Sequence, residues 1–265
     1  MTITILTLFP GLFDGFLTGS ILARAIARGL VHVKLVDIRD YAKDKHRVCD
    51  DAAYGGGPGM VMKVEPIAAA LEASGARAIA PQGAGEGSAE ADNGLRVVYL
   101  TPAGRPYTQA RAQELAREKE LVLLCGRYEG VDQRVIDSFV TDELSIGDYV
   151  LSGGEVAAMV MVDSIARLIP GVIAGDSLEE ESFAFGLLEY PHYTRPEVFR
   201  GASVPDVLLS GHHERIRQWR LMKSVEKTMK LRPDLLRSDS LPVEAKELLG
   251  KIRGEGVENE RNQSA

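Results

Sequence analysis

The chain has 265 residues, 45% hydrophobic and 26% charged, ordinary values for one large or two smaller globular domains. Its net charge of −7 argues against a wholly basic nucleic-acid binder, and its two cysteines, Cys49 and Cys125, argue against a disulfide framework or a cysteine-built zinc site. No apolar run approaches the roughly 18–20 residues that span a bilayer. The opening MTITILTLFPGLFDGF lacks the basic flank and cleavage site of a signal peptide, so a cytoplasmic protein with no membrane partner is expected.

Ile3–Phe9 alternates and is β-branched early, which predicts a strand ended by Pro10–Gly11. Leu12–Arg28 places Phe13, Phe16, Leu17, Ile21, Leu22, Ala25 and Ile26 at helical spacing, with Gly29 as a fitting terminator. Val31–Ile38 is a second strand, and this β-α-β start favours a parallel sheet. Tyr54–Gly59 (YGGGPG) is too glycine-rich for a regular element and matches neither the Walker nor the GxGxxG spacing. A helix over Val64–Ser74 precedes Ala80–Gly94, a Gly/Ala/acid-rich stretch expected to be a flexible insertion. Leu95–Leu100 and Leu121–Cys125 read as strands, Gln109–Glu118 and Val131–Phe139 as helices, and Gly154–Ile169 as a long apolar helix stopped by Pro170–Gly171.

The expected organisation is an α/β domain over 1–170, an interdomain linker over 171–195, a helical domain over 196–250 and a disordered polar tail over 251–265. From Arg195 onward there are 14 Lys/Arg against 11 Asp/Glu, leaving 17 against 27 for residues 1–194. Arg215–Arg232 holds seven basic residues and one acid, Glu226, so the negative total hides a local basic face suited to phosphate.

Three strand-end loops carry the chemistry: Thr101–Gly104, Gly126–Gly130 (GRYEG) and Ser145–Gly154 (SIGDYVLSGG). Open α/β sheets bind ligands at the carboxyl ends of strands. Glycines allow close backbone approach, and Leu100, Ile146 and Leu151 could sandwich a ring. No phosphate loop followed by lysine is present, so an adenosyl group held by backbone amides fits better than a nucleoside triphosphate. Tight turns with packing glycines would leave the same pattern. Histidines offer no metal pair, since His212 and His213 are adjacent and His46 sits between Lys45 and Arg47. Carboxylates remain as proton acceptors, and Arg167, at the end of the long apolar helix, could hold a ring oxygen.

Seven segments in order carry a resemblance: FPxxF at Phe9–Phe13, YGGGPGM at 54–60, LCGRYEGVD at 124–132, SIGDYVLSGGE at 145–155, IPG at 169–171, PHYTRP at 191–196 and LLSG at 208–211. With them the chain resembles the bacterial tRNA (guanine-N1)-methyltransferase (TrmD) family of the SPOUT class. The resemblance implies a parallel-sheet α/β fold with a deep trefoil knot and a small all-α carboxyl-terminal domain. It implies S-adenosyl-L-methionine as cofactor, held at Tyr99, Leu100, Pro102, Gly126, Tyr128, Glu129, Gly130, Ile146, Gly147, Asp148, Tyr149, Val150, Leu151 and Gly153. It implies methylation of guanine-N1 at tRNA position 37 when position 36 is also guanosine, by an obligate homodimer whose site is completed across subunits.

The family's general base is an aspartate in a D-S-F segment. Anchoring on Ser182–Phe183 puts Glu181 there, a departure that keeps the carboxylate and adds one methylene. Asp176, Glu179 and Glu180 are neighbouring substitutes. Arg167 matches the arginine that supports charge on guanine. His46, Arg195, Arg215, Arg217, Arg220 and Lys223 are the candidate tRNA contacts. Mg²⁺ is admitted beside the cofactor, with Glu129 an indirect contributor and no residue assigned as a metal ligand. Two alternatives stand beside this reading: a SPOUT methyltransferase acting on another RNA site, and a non-catalytic RNA-binding relative.

Overall fold

The computed structural model describes residues 1–79, 95–173, 181–183, 185–237 and 241–252. The Ala80–Gly94 insertion, the acids Asp176, Glu179 and Glu180, and all but the first two residues of the tail lie outside them. The chain divides into two compact units, Met1–Ile173 and Ala174–Ala265.

The first unit is built on β1 (Thr2–Thr7), β2 (His32–Asp37), β5 (Arg96–Pro106), β6 (Glu120–Cys125) and β7 (Asp142–Ser145), in the order β2-β1-β6-β5-β7. All four neighbouring pairs are parallel. Two short strands, β3 (Asp50–Asp51) and β4 (Val61–Met62), pair separately.

The two-residue side-chain period explains why the sheet is covered on both faces. Ile3, Ile5, Val98, Leu100, Leu121, Leu123 and Cys125 point into one core with α2 (Ser20–Ala27), α4 (Gln109–Leu115) and α6 (Glu155–Ala166). Leu6, Val97, Tyr99, Val122 and Leu124 point into the other, against α3 (Val64–Ala73) and α5 (Gln133–Phe139).

The structure departs from the sequence expectation at several points. The single helix over Leu12–Arg28 is instead a 3-10 turn at Pro10–Phe13, α1 (Asp14–Thr18) and α2. The break falls at Gly19, which is extended, and Ser20, at φ 62°. The Thr18 hydroxyl donates to the Asp14 carbonyl at 2.8 Å, so weak helix formers and a competing side-chain bond end the first segment. Strand β7 was hidden in DELS because its charge is internal: Arg96 Nε donates to Asp142 Oδ2 at 2.7 Å. Pairing of β5 with β7 shifts register between Leu100 and Arg105, so the Thr101–Gly104 stretch lies within β5 as an irregularity rather than after its end.

The second unit holds a hairpin, Val198–Phe199 with Ala202–Ser203, the long helix His213–Leu231, a 3-10 turn at Pro233–Arg237 and helical residues 243–252. The hairpin stands in what the sequence suggests is an all-α domain. Leu187, Val225, Leu236, Leu241, Ala245 and Leu249 form its core.

Candidate active site

A cavity of about 340 Å³ opens at the carboxyl ends of β5, β6 and β7. Every predicted cofactor position except Asp148 lines it, from Tyr99, Leu100 and Pro102 through Gly126, Tyr128, Glu129 and Gly130 to Ile146, Gly147, Tyr149, Val150, Leu151 and Gly153. Thr101, Ala103, Arg127, Leu144, Ser145, Ser152, Gly154 and Ala157 complete the wall. Tyr99 is 6% exposed and its phenol is pushed up by burial, so the wall there is a neutral hydroxyl. Burial also pushes the Cys125 thiol well up, with the Glu155 carboxylate adding to the rise.

The two glycine-rich turns are joined to each other. Gly154 N–H donates to the Gly126 carbonyl at 2.9 Å, and Arg127 bridges antiparallel to Gly153. A Cβ on Gly154 would stand 2.7 Å from the Cys125 backbone, so only glycine permits this approach. The turn at 145–149 braces itself: Ser145 Oγ donates to the Gly147 carbonyl at 3.0 Å and Tyr149 Oη to the Ile146 carbonyl at 3.2 Å. Behind GRYEG, Glu129 N–H donates to the Met60 carbonyl at 3.0 Å and Met62 N–H to the Gly130 carbonyl at 2.9 Å. YGGGPGM therefore leads into the strand that backs the cavity wall.

A buried charge pair holds this assembly. Glu155 is 1% exposed at the start of α6. Arg127 Nε lies 3.2 Å from its Oε2, and Thr7 Oγ1 donates to its Oε1 at 2.8 Å. Arg127 Nη1 donates to the Ser152 carbonyl at 3.0 Å, and the guanidinium sits 4.4 Å from the centre of the Phe9 ring. Sequence reasoning missed Thr7, Arg127 and Glu155 as a set. The available signal was two ionisable residues inside otherwise apolar, glycine-bounded segments.

The other candidates lie elsewhere. Arg167 closes α6 and lines a separate cavity of about 250 Å³ with Ile21, Asp163 and Ile173. Glu181, in the second unit, borders a cavity of about 690 Å³ with Leu187, Tyr190, Ile216, Arg217 and Arg220. His46 is on an exposed loop, its N–H bonded to Asp44 Oδ1 at 2.9 Å. On the basic helix, Arg217 pairs with Glu214 at 2.9 Å and with Glu244, and Lys223 pairs with Glu226 at 2.7 Å. The Arg220 guanidinium sits 4.7 Å from the centre of the Tyr190 ring. Arg195 and Arg215 are exposed. Among the described residues, no three of His, Cys, Asp or Glu converge on a metal position. No helix among them is long and apolar enough to cross a membrane.

Residues 1–238 match the model of a family described as tRNA (Guanine-1)-methyltransferase TrmD. The chain is 53% identical to the tRNA (guanine-N(1)-)-methyltransferase of Geobacter sulfurreducens over 97% of its own length and 99% of the relative's. It is 54% identical to that of Geotalea uraniireducens over 96% and 97%, and 52% identical to that of Treponema denticola over 89% and 90%. By this match along most of its length, the chain belongs to the tRNA (guanine-1)-methyltransferase TrmD family.

Proposed function

We propose that the chain methylates guanine-N1 of guanosine at tRNA position 37, in tRNAs that also carry guanosine at position 36, with S-adenosyl-L-methionine as the methyl donor. The observation that carries this reading is the gathering of three strand-end loops around one cavity in a chain more than half identical to tRNA (guanine-N(1)-)-methyltransferases. The wall suits the donor. Its glycines carry no side chains to bar close approach to the backbone, and Leu100, Ile146 and Leu151 offer aliphatic faces to a ring. Among the described residues no lysine lines it, which favours an adenosyl group over a polyphosphate. Once bound, the donor supplies a sulfonium methyl that is already electrophilic.

The chain's own residues then have three tasks. The cavity wall orients the donor, and alignment is the largest contribution a protein can make to such a transfer. Glu181 accepts the N1 proton and frees the lone pair. Arg167 stabilises the electron density passed to the guanine oxygen. A base atom inside a stacked loop is reached by flipping the nucleotide out.

Several finer features belong to the same reading. The first unit carries a deep trefoil knot, with GRYEG and SIGDYVLSGG among its loops. Residues 1–170 hold the cofactor, residues 171–195 join the parts, and residues 196–250 grip tRNA through His46-independent contacts at Arg195, Arg215, Arg217, Arg220 and Lys223, with His46 adding a contact from the first unit. The protein acts as a homodimer. In support, Val156 and Val160, one turn apart on α6, are 54% and 43% exposed although the helix is otherwise mostly apolar and buried. Mg²⁺ is given no ligand residues.

The test is methyl transfer from labelled donor to a defined tRNA transcript and to its position-37 adenosine variant. Transfer to the first alone is expected. Equal transfer to both would indicate another RNA site. Donor binding by calorimetry with no transfer would indicate a non-catalytic relative.

A further inference from the structure

In the second unit Leu188, Glu189 and Tyr190 lie against the helix His213–Leu231, and Ser182 and Phe183 bond back to residues 187 and 189. Phe183 N–H donates to the Leu187 carbonyl at 2.8 Å, and Glu189 N–H donates to Ser182 Oγ at 3.0 Å. Glu181 therefore sits at the entrance of a closed turn.

Two side chains of the helix fasten that turn. Thr228, fully buried, accepts the Leu188 N–H at 2.9 Å while its hydroxyl donates to the Ser224 carbonyl at 2.6 Å. Lys227 Nζ donates to the Glu189 carbonyl at 2.9 Å. Leu187 plugs the adjoining core beside Val225. Tyr190 stacks on the same helix through Arg220. A threonine in a helix interior usually spends its hydroxyl on the carbonyl one turn back. Here the same oxygen also serves as the acceptor for a chain segment 40 residues away in sequence.

We propose that Thr228, aided by Lys227, is a positioning residue for Glu181: it ties the turn that presents the general base to the helix that grips tRNA. This inference rests on the reading of Glu181 as the base. Its consequence is that phosphate contacts along Arg215–Lys223 and placement of the carboxylate share one rigid body, so holding the substrate and presenting the base are set by the same helix.

The test uses the full-length protein with defined tRNA and saturating donor, in single turnover. Thr228→Val keeps the side-chain shape and strands the Leu188 N–H. It is expected to slow methyl transfer by about tenfold, with tRNA Kd and donor Kd within about twofold of the parent. Thr228→Ser should restore the rate. In a Glu181→Gln background, Thr228→Val should add little, because both changes disable the same group. A normal rate in Thr228→Val alongside a slow Glu181→Gln overturns the proposal. So does a parallel collapse of tRNA affinity, which would mark a merely structural role, or full additivity in the double variant. A near-normal rate in Glu181→Gln alone overturns the base reading itself.

Discussion

In the first unit the cavity is braced by a charge pair whose carboxylate is buried and whose arginine is half-buried, whereas in the second the candidate base rests on a hydroxyl and a lysine at the edge of a small core. Glu155 has three neighbours that fix it, Arg127, Thr7 and the α6 amino terminus, and two large side-chain clusters surround the sheet they stand on. The turn after Glu181 leans on one helix and on a core of a few residues. The first arrangement suits a site that must exist before its ligand arrives. The second places the candidate base on the same body as the helix His213–Leu231.

The largest expected effect tests the first half of that contrast. Arg127→Met leaves the Glu155 carboxylate buried without its cation and should destabilise the first unit by about 3–5 kcal/mol in denaturant unfolding. Adding Glu155→Met should recover much of the loss, because two apolar side chains can replace a buried pair. A single variant as stable as the parent would mean that the backbone bridge between the turns suffices.

Next is Leu187→Ala, which opens a cavity in the second unit's core and should cost about 2–4 kcal/mol there. Methyl transfer should fall while calorimetric donor binding holds. A matching loss of donor affinity would erase the distinction between the two regions.

A smaller effect separates the cations of the basic helix. Arg217 is already paired with Glu214 and Glu244, and Arg215 is exposed. Arg215→Ala should lower the salt dependence of tRNA binding by about one phosphate contact, and Arg217→Ala by less. The order of the two slopes, measured by filter binding across salt concentrations, decides the matter.

The smallest effect concerns acid. Burial raises the Asp142 pKa, but hydrogen bonds from Arg96 and Thr141 outweigh it and hold the carboxyl below its usual range. A depressed folded value contributes stability that is present above the unfolded carboxylate pKa of about 3.9 and is lost as pH falls through the folded value. Asp142→Asn should flatten the melting-temperature profile below about pH 4. An unchanged profile would assign acid sensitivity to other carboxylates.

Much of the first unit was legible because its signals are local. Alternation marks β1, apolar runs mark β5 and β6, and glycines follow them. The cavity-lining loops follow from that composition together with the family resemblance. Other features needed the third dimension. The Arg127–Glu155–Thr7 set spans 148 residues between Thr7 and Glu155, and no periodicity joins such distant positions. Strand β7 carries too many charges to read as a strand until Arg96 is placed beside it. The segment after Glu181 reads as a linker because its hydrogen bonds end on a helix about 40 residues later.

One contact behind the cavity has a consequence for how the sequence can change. Gly59, at φ 87°, lies so close to Glu129 that an added Cβ would overlap the glutamate's side-chain atoms. A side chain at position 59 would have to adopt a left-handed backbone and displace the Glu129 side chain as well, so the loop is held to glycine both by its own conformation and by the cavity wall.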